Sequence, residues 1–428
     1  MSELVTLLPK DLALLQNLPS AALVVGLSGG LDSVVLLHVL LANGLQDKLH
    51  ALHIHHGLSP NADQWLAHCQ ALCQRWQVSF SAHKVQVNQQ QASLEDAARQ
   101  ARYQVFQQAV PAQGVLVLGH HASDQAETVL FRLLRGTGGR GLAGIPRQRV
   151  LATDKGQLLR PLLHFTRADL YDYARLHQLH WVEDESNEDQ RFARNRIRHD
   201  LLPQLQQFTP NIESQLALTA QRIRLDYQML DRFADQQLSQ WRAVDGSLLW
   251  QHIEGLDGVE RYFWLQHYLR SYKVSLTQAQ LENLDQMLLA APDKQPTMLT
   301  AKGRLMRFQQ RLYVLPNDCP AQLGAIESAI TLARPFDTLT VYGTGRLVLQ
   351  ARPNGAELLL PNGQHRKLKK WFNDHKIPSW WREHLPYLYR DDELVAIGSL
   401  WQSPQHMDIK IQWQPNGQLA WPSYVCDS

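Results

Sequence analysis

The sequence predicts an α/β fold: a doubly wound, mostly parallel sheet at the N-terminus, then a mainly helical middle domain and a small α+β C-terminal domain. Three observations carry that prediction. Up to residue 208 short apolar runs alternate with amphipathic stretches; from 209 to 318 the text is mainly helical; and from 335 to 428 short strands surround a basic, tryptophan-rich helix. A repeating β-then-α order implies a parallel sheet whose ligands sit at the carboxyl ends of its strands. The 428 residues, 44% of them hydrophobic, also exceed what one core normally supports, since single cores rarely grow past about 250–300 residues.

Taken in order, the first four strands are expected in AALVVGL (21–27), KLHALHIHH (48–56), VSFSAHKVQV (78–87) and GVLVLGHH (114–121), each followed by helical text. The run NIESQLALTAQRIRLDYQMLDRFADQQLSQW (211–241) spaces apolar residues by three and four, as a long helix does. RLMRFQQRLYVLPND (304–318) alternates like a hairpin or edge strand, and the weak pattern from Cys319 to about Pro335 reads as a linker. GRLVLQA and ELVAIGS read as strands of the last segment.

Composition excludes several classes. A net charge of +2 means that any nucleic-acid binding must come from local patches. Four cysteines, Cys69, Cys73, Cys319 and Cys426, form neither a disulfide framework nor a C-x-x-C pair, which suits a reducing cytoplasm. No basic leader precedes an apolar run, and no apolar stretch reaches about 18 residues, so neither export nor membrane insertion is expected.

The first strand runs into SGGLDS, Ser28 to Ser33, and then into a helix. Gly29 and Gly30 permit close backbone approach, while Ser28, Ser33 and the amides around Leu31 can donate to phosphate. No lysine stands in the loop and the Walker pattern is absent, which disfavours kinase or GTPase chemistry. Asp32 reads either as a magnesium ligand bridging to phosphates or as an acid at a helix N-terminus. A second motif, GHHASDQAET (119–128), places Asp124 and Glu127 on a helix's first turn, suited to a metal, a cationic substrate or an acidic cap. The histidines there and at 53, 55 and 56 read as lining a nucleotide pocket and not as a zinc site. In SLEDAARQARYQVF (93–106) Ser93 and Asp96 resemble a capping box, and Arg102 can reach a phosphate or lie exposed. In WVEDESNEDQRFARNRIRHDLLP (181–203) Arg191, Arg194, Arg196 and Arg198 crowd beside Asp184, Glu185 and Asp189, as phosphate binders or as a salt-bridged helix.

SGGLDS resembles the PP-loop of ATP pyrophosphatases, which adenylate a carbonyl oxygen and release pyrophosphate. The four motifs together, with RKLKKWFNDHKIPSWWREHLPYLYRDDELVAIG (366–398), resemble the tRNA(Ile)-lysidine synthetase family across most of the chain. That resemblance implies an ATP-dependent, AMP-forming ligase that joins free L-lysine to C2 of the wobble cytidine of a tRNA(Ile) with a CAU anticodon. An adenylated cytidine would form on the way, and the product lysidine changes the decoded amino acid from methionine to isoleucine. It further implies ATP held by Ser28, Gly29, Gly30, Leu31, Asp32 and Ser33, with Mg2+ on Asp32. Asp124, then Glu127, would take the lysine amine or the metal, and Arg102, Arg194 and Arg196 would hold phosphates or the activated base. Arg366, Lys367, Lys369, Lys370 and Trp371 would grip tRNA, although the tryptophans suit a core as well. A homodimer is left open. The rivals are a tRNA thiolation enzyme, an amide synthetase acting on small molecules and a catalytically silent RNA-binding protein.

Overall fold

A computed structural model of the chain describes residues 5–422 apart from 21, 58, 86–93, 153–155, 184–192, 291–294, 318–322, 327–329 and 344–345, with the main chain alone at 94–96, 326 and 330. Ser93, Asp184, Glu185, Asp189, Arg191 and the Asp96 side chain therefore lie outside the described residues. The chain forms two compact units, Met1–Met229 and Leu230–Ser428.

The first unit is built on six strands, β1 (Leu23–Gly26), β2 (Leu49–His55), β3 (Ser79–Lys84), β4 (Val115–Val117), β5 (Gln148–Val150) and β6 (Gln157–Leu159), in the order β3-β2-β1-β4-β6-β5. All pairings are parallel except that of β5. Its helices are α1 (Pro9–Gln16), α2 (Leu31–Ala42), α3 (Ala62–Arg75), α4 (Leu94–Ala109), α5 (Ala122–Leu134), α6 (Gly139–Leu142), α7 (Arg167–Leu176), α8 (Ala193–Arg196), α9 (Leu202–Phe208) and the start of α10 (Ile212–Trp241). Both sheet faces are covered, which is why the strands read as continuous apolar runs. Leu23 and Val25 pack with α2, α3 and α7 on one face, while Val24 packs with Phe106 of α4 and with Val110 just after it on the other. The first four expected strands are present; β5 and β6 were not expected. At three residues each, with Gln148, Arg149 and Gln157 among them, they are too short and polar to show a period.

The segment after residue 192 is laid across α5. Ile197 and Leu202, with Leu205, Ile212 and Leu216 partly buried, close over Ala126 and Leu130 in a small separate core. Between α8 and α9 the helix widens into a π-turn at Ile197–Leu201. Such bulges concentrate at functional sites.

In the second unit, α11 (Gly258–Ser271) and α12 (Gln278–Leu288) pack on the antiparallel strands β7 (Leu248–Leu249), β8 (Thr297–Thr300), β9 (Gly303–Phe308) and β10 (Arg311–Leu315). The expected hairpin is β9–β10, turned by Gln309 and Gln310 at φ 49° and 56°. Its alternation serves two cores. Leu305 and Leu312 face Leu265, Leu281 and Leu284, whereas Met306, Phe308, Tyr313 and Leu315 face Trp371, Phe372, Trp380 and Trp381. The segments expected at 209–318 and 335–428 thus share apolar surface through one ribbon. The expected linker contains strands as well: Gly324–Ile326 pairs with Leu347–Gln350, and Ile330–Ala333 with Asp337–Tyr342. Strands of three and four residues leave no periodic trace, which is why that stretch read as linker.

The expected basic helix is Leu368–Asp374. Lys367, Lys369 and Lys370 are exposed, and Arg366 pairs with Asp374. Trp371 is different. At 3% exposure, against His375 and Phe372, it belongs to the core, which corrects the expectation that it stacks on RNA bases. Trp380 and Trp381 are likewise buried, with both indole N–H groups donating to the Ala420 carbonyl oxygen at 2.9 and 2.8 Å.

Candidate active site

The strand order reverses between β1 and β4, because β2 lies on one side of β1 and β4 on the other. A parallel sheet leaves a crevice at such a switch point, outside the carboxyl ends of the two strands. SGGLDS follows β1 and GHHASD follows β4, so the fold brings these two motifs, about ninety residues apart in sequence, to one place.

Within the loop, Ser33 Oγ accepts from the N–H groups of Ser28 and Gly29, both at 3.2 Å, and donates to the Gly30 carbonyl oxygen at 3.0 Å. The Ser28 and Ser33 hydroxyl oxygens are 3.1 Å apart. Gly29 is required by its φ of +92° and by its surroundings, since a Cβ there would stand 3.0 Å from Cys69 Sγ. Convergent backbone amides at a helix start form an anion-binding concavity. Like α1, α3 and α6, α2 starts with no side-chain cap, here at Gly30.

Gly119 lets the α5 turn approach α2. A Cβ on it would meet the Asp32 carbonyl oxygen at 2.8 Å and the Ser33 nitrogen at 3.3 Å. The two helix N-termini therefore abut, and their acids line up. His121 Nε2 lies 3.6 Å from Asp32 Oδ2 and 3.6 Å from Asp124 Oδ2, Arg198 Nη2 lies 3.9 Å from Asp124 Oδ1, and Arg198 clasps both Glu127 oxygens at 2.6 and 3.2 Å. Asp124 is at the same time an N-terminal cap, accepting the His121 backbone N–H at 3.0 Å.

The electrostatics follow from this crowding. Burial opposes charge on His121, yet Asp124, then Asp32 and Glu127, outweigh it and raise its pKa to about 9. Burial likewise disfavours an ionised Asp124, but His121, His120 and Arg198 hold its pKa below the usual carboxylate value. Glu127 is pushed up by burial despite Arg198. His120 next door is driven down to about 3 by burial and by Arg160, Arg102 and Arg99, against the pull of Asp124, and stays neutral. Two adjacent histidines are thus shifted in opposite directions: carboxylates overcome burial at His121, whereas at His120 burial, reinforced by guanidinium groups, prevails over Asp124.

The candidate residues fall unevenly around this crevice. Asp32 and Asp124 meet through His121. Glu127 is 4% exposed with both oxygens committed to Arg198, which leaves Asp124, 25% exposed, as the more accessible carboxylate. Arg102 is half-buried close enough to His56 and His120 for its charge to lower both pKa values. Arg194 lies near Arg132, half-buried, and Arg196 is exposed. His53 Nδ1 is 2.9 Å from the Leu27 carbonyl oxygen and His55 pairs with Asp63; among the described residues no cluster of three metal-binding side chains occurs. In the sequence His121 reads as lining a nucleotide pocket and Arg198 as one of a phosphate-binding or salt-bridged cluster; their carboxylate partners are not foreseen there. A histidine three residues before Asp124 was a usable capping signal, but Arg198, 71 residues from Glu127, could be placed only by the fold.

For magnesium the fit is partial but specific. Asp32 Oδ1 is buried without a hydrogen-bond partner among the described residues, at the mouth of the phosphate loop. One carboxylate plus substrate phosphates and water is the usual way proteins hold Mg2+. Cys69 and Cys73 are fully buried, and burial pushes their thiols up to about 12 and about 11. Neither can serve as the reactive thiolate that sulfur-transfer chemistry would ask of it.

Comparison with known families agrees with this geometry. A PP-loop domain model matches residues 6–205, a TilS substrate binding domain model matches 259–313 and a TilS substrate C-terminal domain model matches 347–416. A tRNA(Ile)-lysidine synthase of Pseudomonas syringae pv. tomato is 38% identical over 398 residues, covering 88% of both chains. One of Pseudomonas fluorescens is 37% identical, covering 92% of this chain and 93% of the other, and one of Pectobacterium atrosepticum is 34% identical, covering 89% and 90%. The mixed α/β unit with its phosphate loop, the strand-rich second unit and these likenesses, each over 88% or more of both chains, point the same way: the chain belongs to the tRNA(Ile)-lysidine synthase family.

Proposed function

We propose that the chain ligates free L-lysine to C2 of the wobble cytidine of a tRNA(Ile) with a CAU anticodon, using ATP and releasing AMP and pyrophosphate. The observation that carries this reading is the junction of the two helix N-termini at Gly119, which sets an uncapped phosphate loop beside the Asp32–His121–Asp124 row.

In the first step the cytosine C2 oxygen attacks the α-phosphorus, the α–β phosphoanhydride bond breaks, and pyrophosphate leaves. The amides and hydroxyls of Ser28, Gly29, Gly30 and Ser33 hold the phosphate oxygens, with the N-terminus of α2 behind them. Bound Mg2+ would supply Lewis acidity to those oxygens, and Asp32 is the residue to hold it. Arg102, Arg194 and Arg196 offer further charge to phosphates or to the activated base. In the second step the lysine ε-amine forms a bond to C2 while the C2–O bond breaks and AMP leaves. The amine has an ordinary pKa near 10.4 and must first lose a proton. Asp124, ionised and the more open of the two acids, binds the ammonium and accepts its proton as the amine attacks, while Glu127 fixes Arg198 beside it.

The exposed lysines 367, 369 and 370 provide a patch for tRNA phosphates. No helix among the described residues is long and apolar enough to cross a membrane. A tRNA substrate fits a cytoplasmic enzyme. Incubating the protein with tRNA, ATP and labelled lysine and weighing the digested nucleosides tests the proposal. A lysine-mass adduct on cytidine is the expected result, and its absence would refute the assignment.

A further inference from the structure

Beyond His120, the carboxyl ends of β4 and β6 carry a cluster that the reaction above does not use. Arg160, the residue after β6, is 1% exposed, yet it meets only neutral acceptors. Its Nε donates to His120 Nδ1 at 3.3 Å, Nη1 to the Pro146 carbonyl oxygen at 2.6 Å and Nη2 to the Tyr103 hydroxyl at 3.2 Å. The guanidinium carbons of Arg99 and Arg149 each stand 5.2 Å from the Tyr103 ring centroid. Both are exposed, and with Gln100 and Tyr103 they line a surface recess of about 360 Å3. Among the described residues none of these three arginines forms an ion pair with a carboxylate.

Three guanidinium groups around one phenol repel each other, and a buried cation without a counter-ion is expensive unless something supplies the charge. The charge surplus is felt locally: besides burial, Arg149 and Arg99 lower the Arg160 pKa, to about 10. Such a surplus is relieved by an anion from outside, and the fork of arginine suits phosphate oxygens. The recess is tied to the crevice, since Arg160 holds His120, and His121 beside it faces Asp32.

We propose that the Arg99–Tyr103–Arg149 recess, backed by Arg160, binds a backbone phosphodiester of the RNA substrate close to the nucleotide being modified. The inference rests on the RNA ligase reading above. The phosphate loop has its own amides for the triphosphate, and the two outer arginines face solvent, where a polymer backbone can pass. Splayed, single-stranded RNA needs such a hold on its backbone to keep one base in a pocket.

The test uses full-length protein carrying Arg99→Ala, Arg149→Ala or both, with melting curves to confirm folding. The readouts are binding of the anticodon stem-loop across a salt series and the KM for ATP. Each single change is expected to weaken RNA binding about tenfold, and the double change to flatten the slope of log K against log salt by about 0.7, the value for one neutralised single-strand phosphate. The KM for ATP should stay within twofold. An unchanged salt slope in the double variant would overturn the inference, and a raised KM for ATP with unchanged RNA binding would assign the recess to the triphosphate instead. Lysine-adduct formation by the unsubstituted protein is run alongside. Its failure would count against the ligase reading, while the slopes still decide whether the recess holds RNA.

Discussion

Gly119→Ala is the most informative small change, because it adds one methyl group at the point where the starts of α2 and α5 touch. An ideal Cβ would sit 2.8 Å from the Asp32 carbonyl oxygen and 2.9 Å from its carbon, whereas ordinary contact begins at 3.4 Å. The obstacle is backbone, so no rotamer change relieves it, and the starts of α2 and α5 must part by about 0.6 Å. Overpacking of this kind costs about 1–3 kcal/mol. For a unit of this size that lowers the melting temperature by about 2–12 °C, taking about 2–4 °C per kcal/mol. The larger effect falls on catalysis. Asp32 and Asp124 are positioned by these two helix starts, and misplacement approaching 1 Å can cost about 100-fold. We expect kcat for lysidine formation to fall about 10- to 100-fold, with tRNA affinity unchanged. Stopped-time assays of nucleoside product, with calorimetry of the same sample, provide the measurement. A variant with kcat within twofold of the original and an unshifted melting temperature would refute the idea that this close approach builds the site.

Four further outcomes follow from the same geometry. Asp124→Asn should lower kcat/KM for lysine by at least about 100-fold, since an amide neither pairs with ammonium nor accepts its proton; near-normal turnover at saturating lysine would remove Asp124 from that role. Changing Lys367, Lys369 and Lys370 together to Ala should raise the tRNA KM and flatten its salt dependence, by about 0.7–0.9 for each phosphate no longer neutralised, and an unaltered slope would take this patch out of the footprint. Trp371→Ala should destabilise the second unit by about 3–5 kcal/mol, as removal of a buried indole does, so that a chemical-denaturation midpoint left in place would return this side chain to a surface role. Alkylation at pH 8 followed by peptide mass mapping should leave Cys69 and Cys73 unmodified in the native protein: with thiols pushed up to about 12 and about 11, the thiolate is scarce far below those values and grows only as pH rises toward them. Rapid labelling of either would contradict their burial.

The chemistry of the site was legible wherever one short segment contains it. SGGLDS fixes its own turn, through a glycine at positive φ and serines within reach of neighbouring amides, so its anion-binding character needs only local geometry. Asp124 could be read as a cap or as a functional acid, and it is placed to be both, because its carboxylate caps α5 and faces His121. The tryptophans show the opposite case. Basic residues beside aromatic ones suggest a base-stacking surface, but the same letters describe an amphipathic helix, and only packing against Met306, Phe308 and Tyr313 decides that Trp371 and Trp380 are interior.

Sequence alone determined the order of the first four strands and the helices that follow them, the phosphate loop and the family, since these rest on periodicity and on residues adjacent in the chain. Tertiary structure decided which side of β1 receives β4, and with it that Asp32 and Asp124 share a histidine, that Arg198 locks Glu127, and that Arg160 lies buried against His120. Each of these couples residues 40 to 92 positions apart or bridges such a pair, and contacts of that separation arise from strand order and packing, which no local pattern encodes.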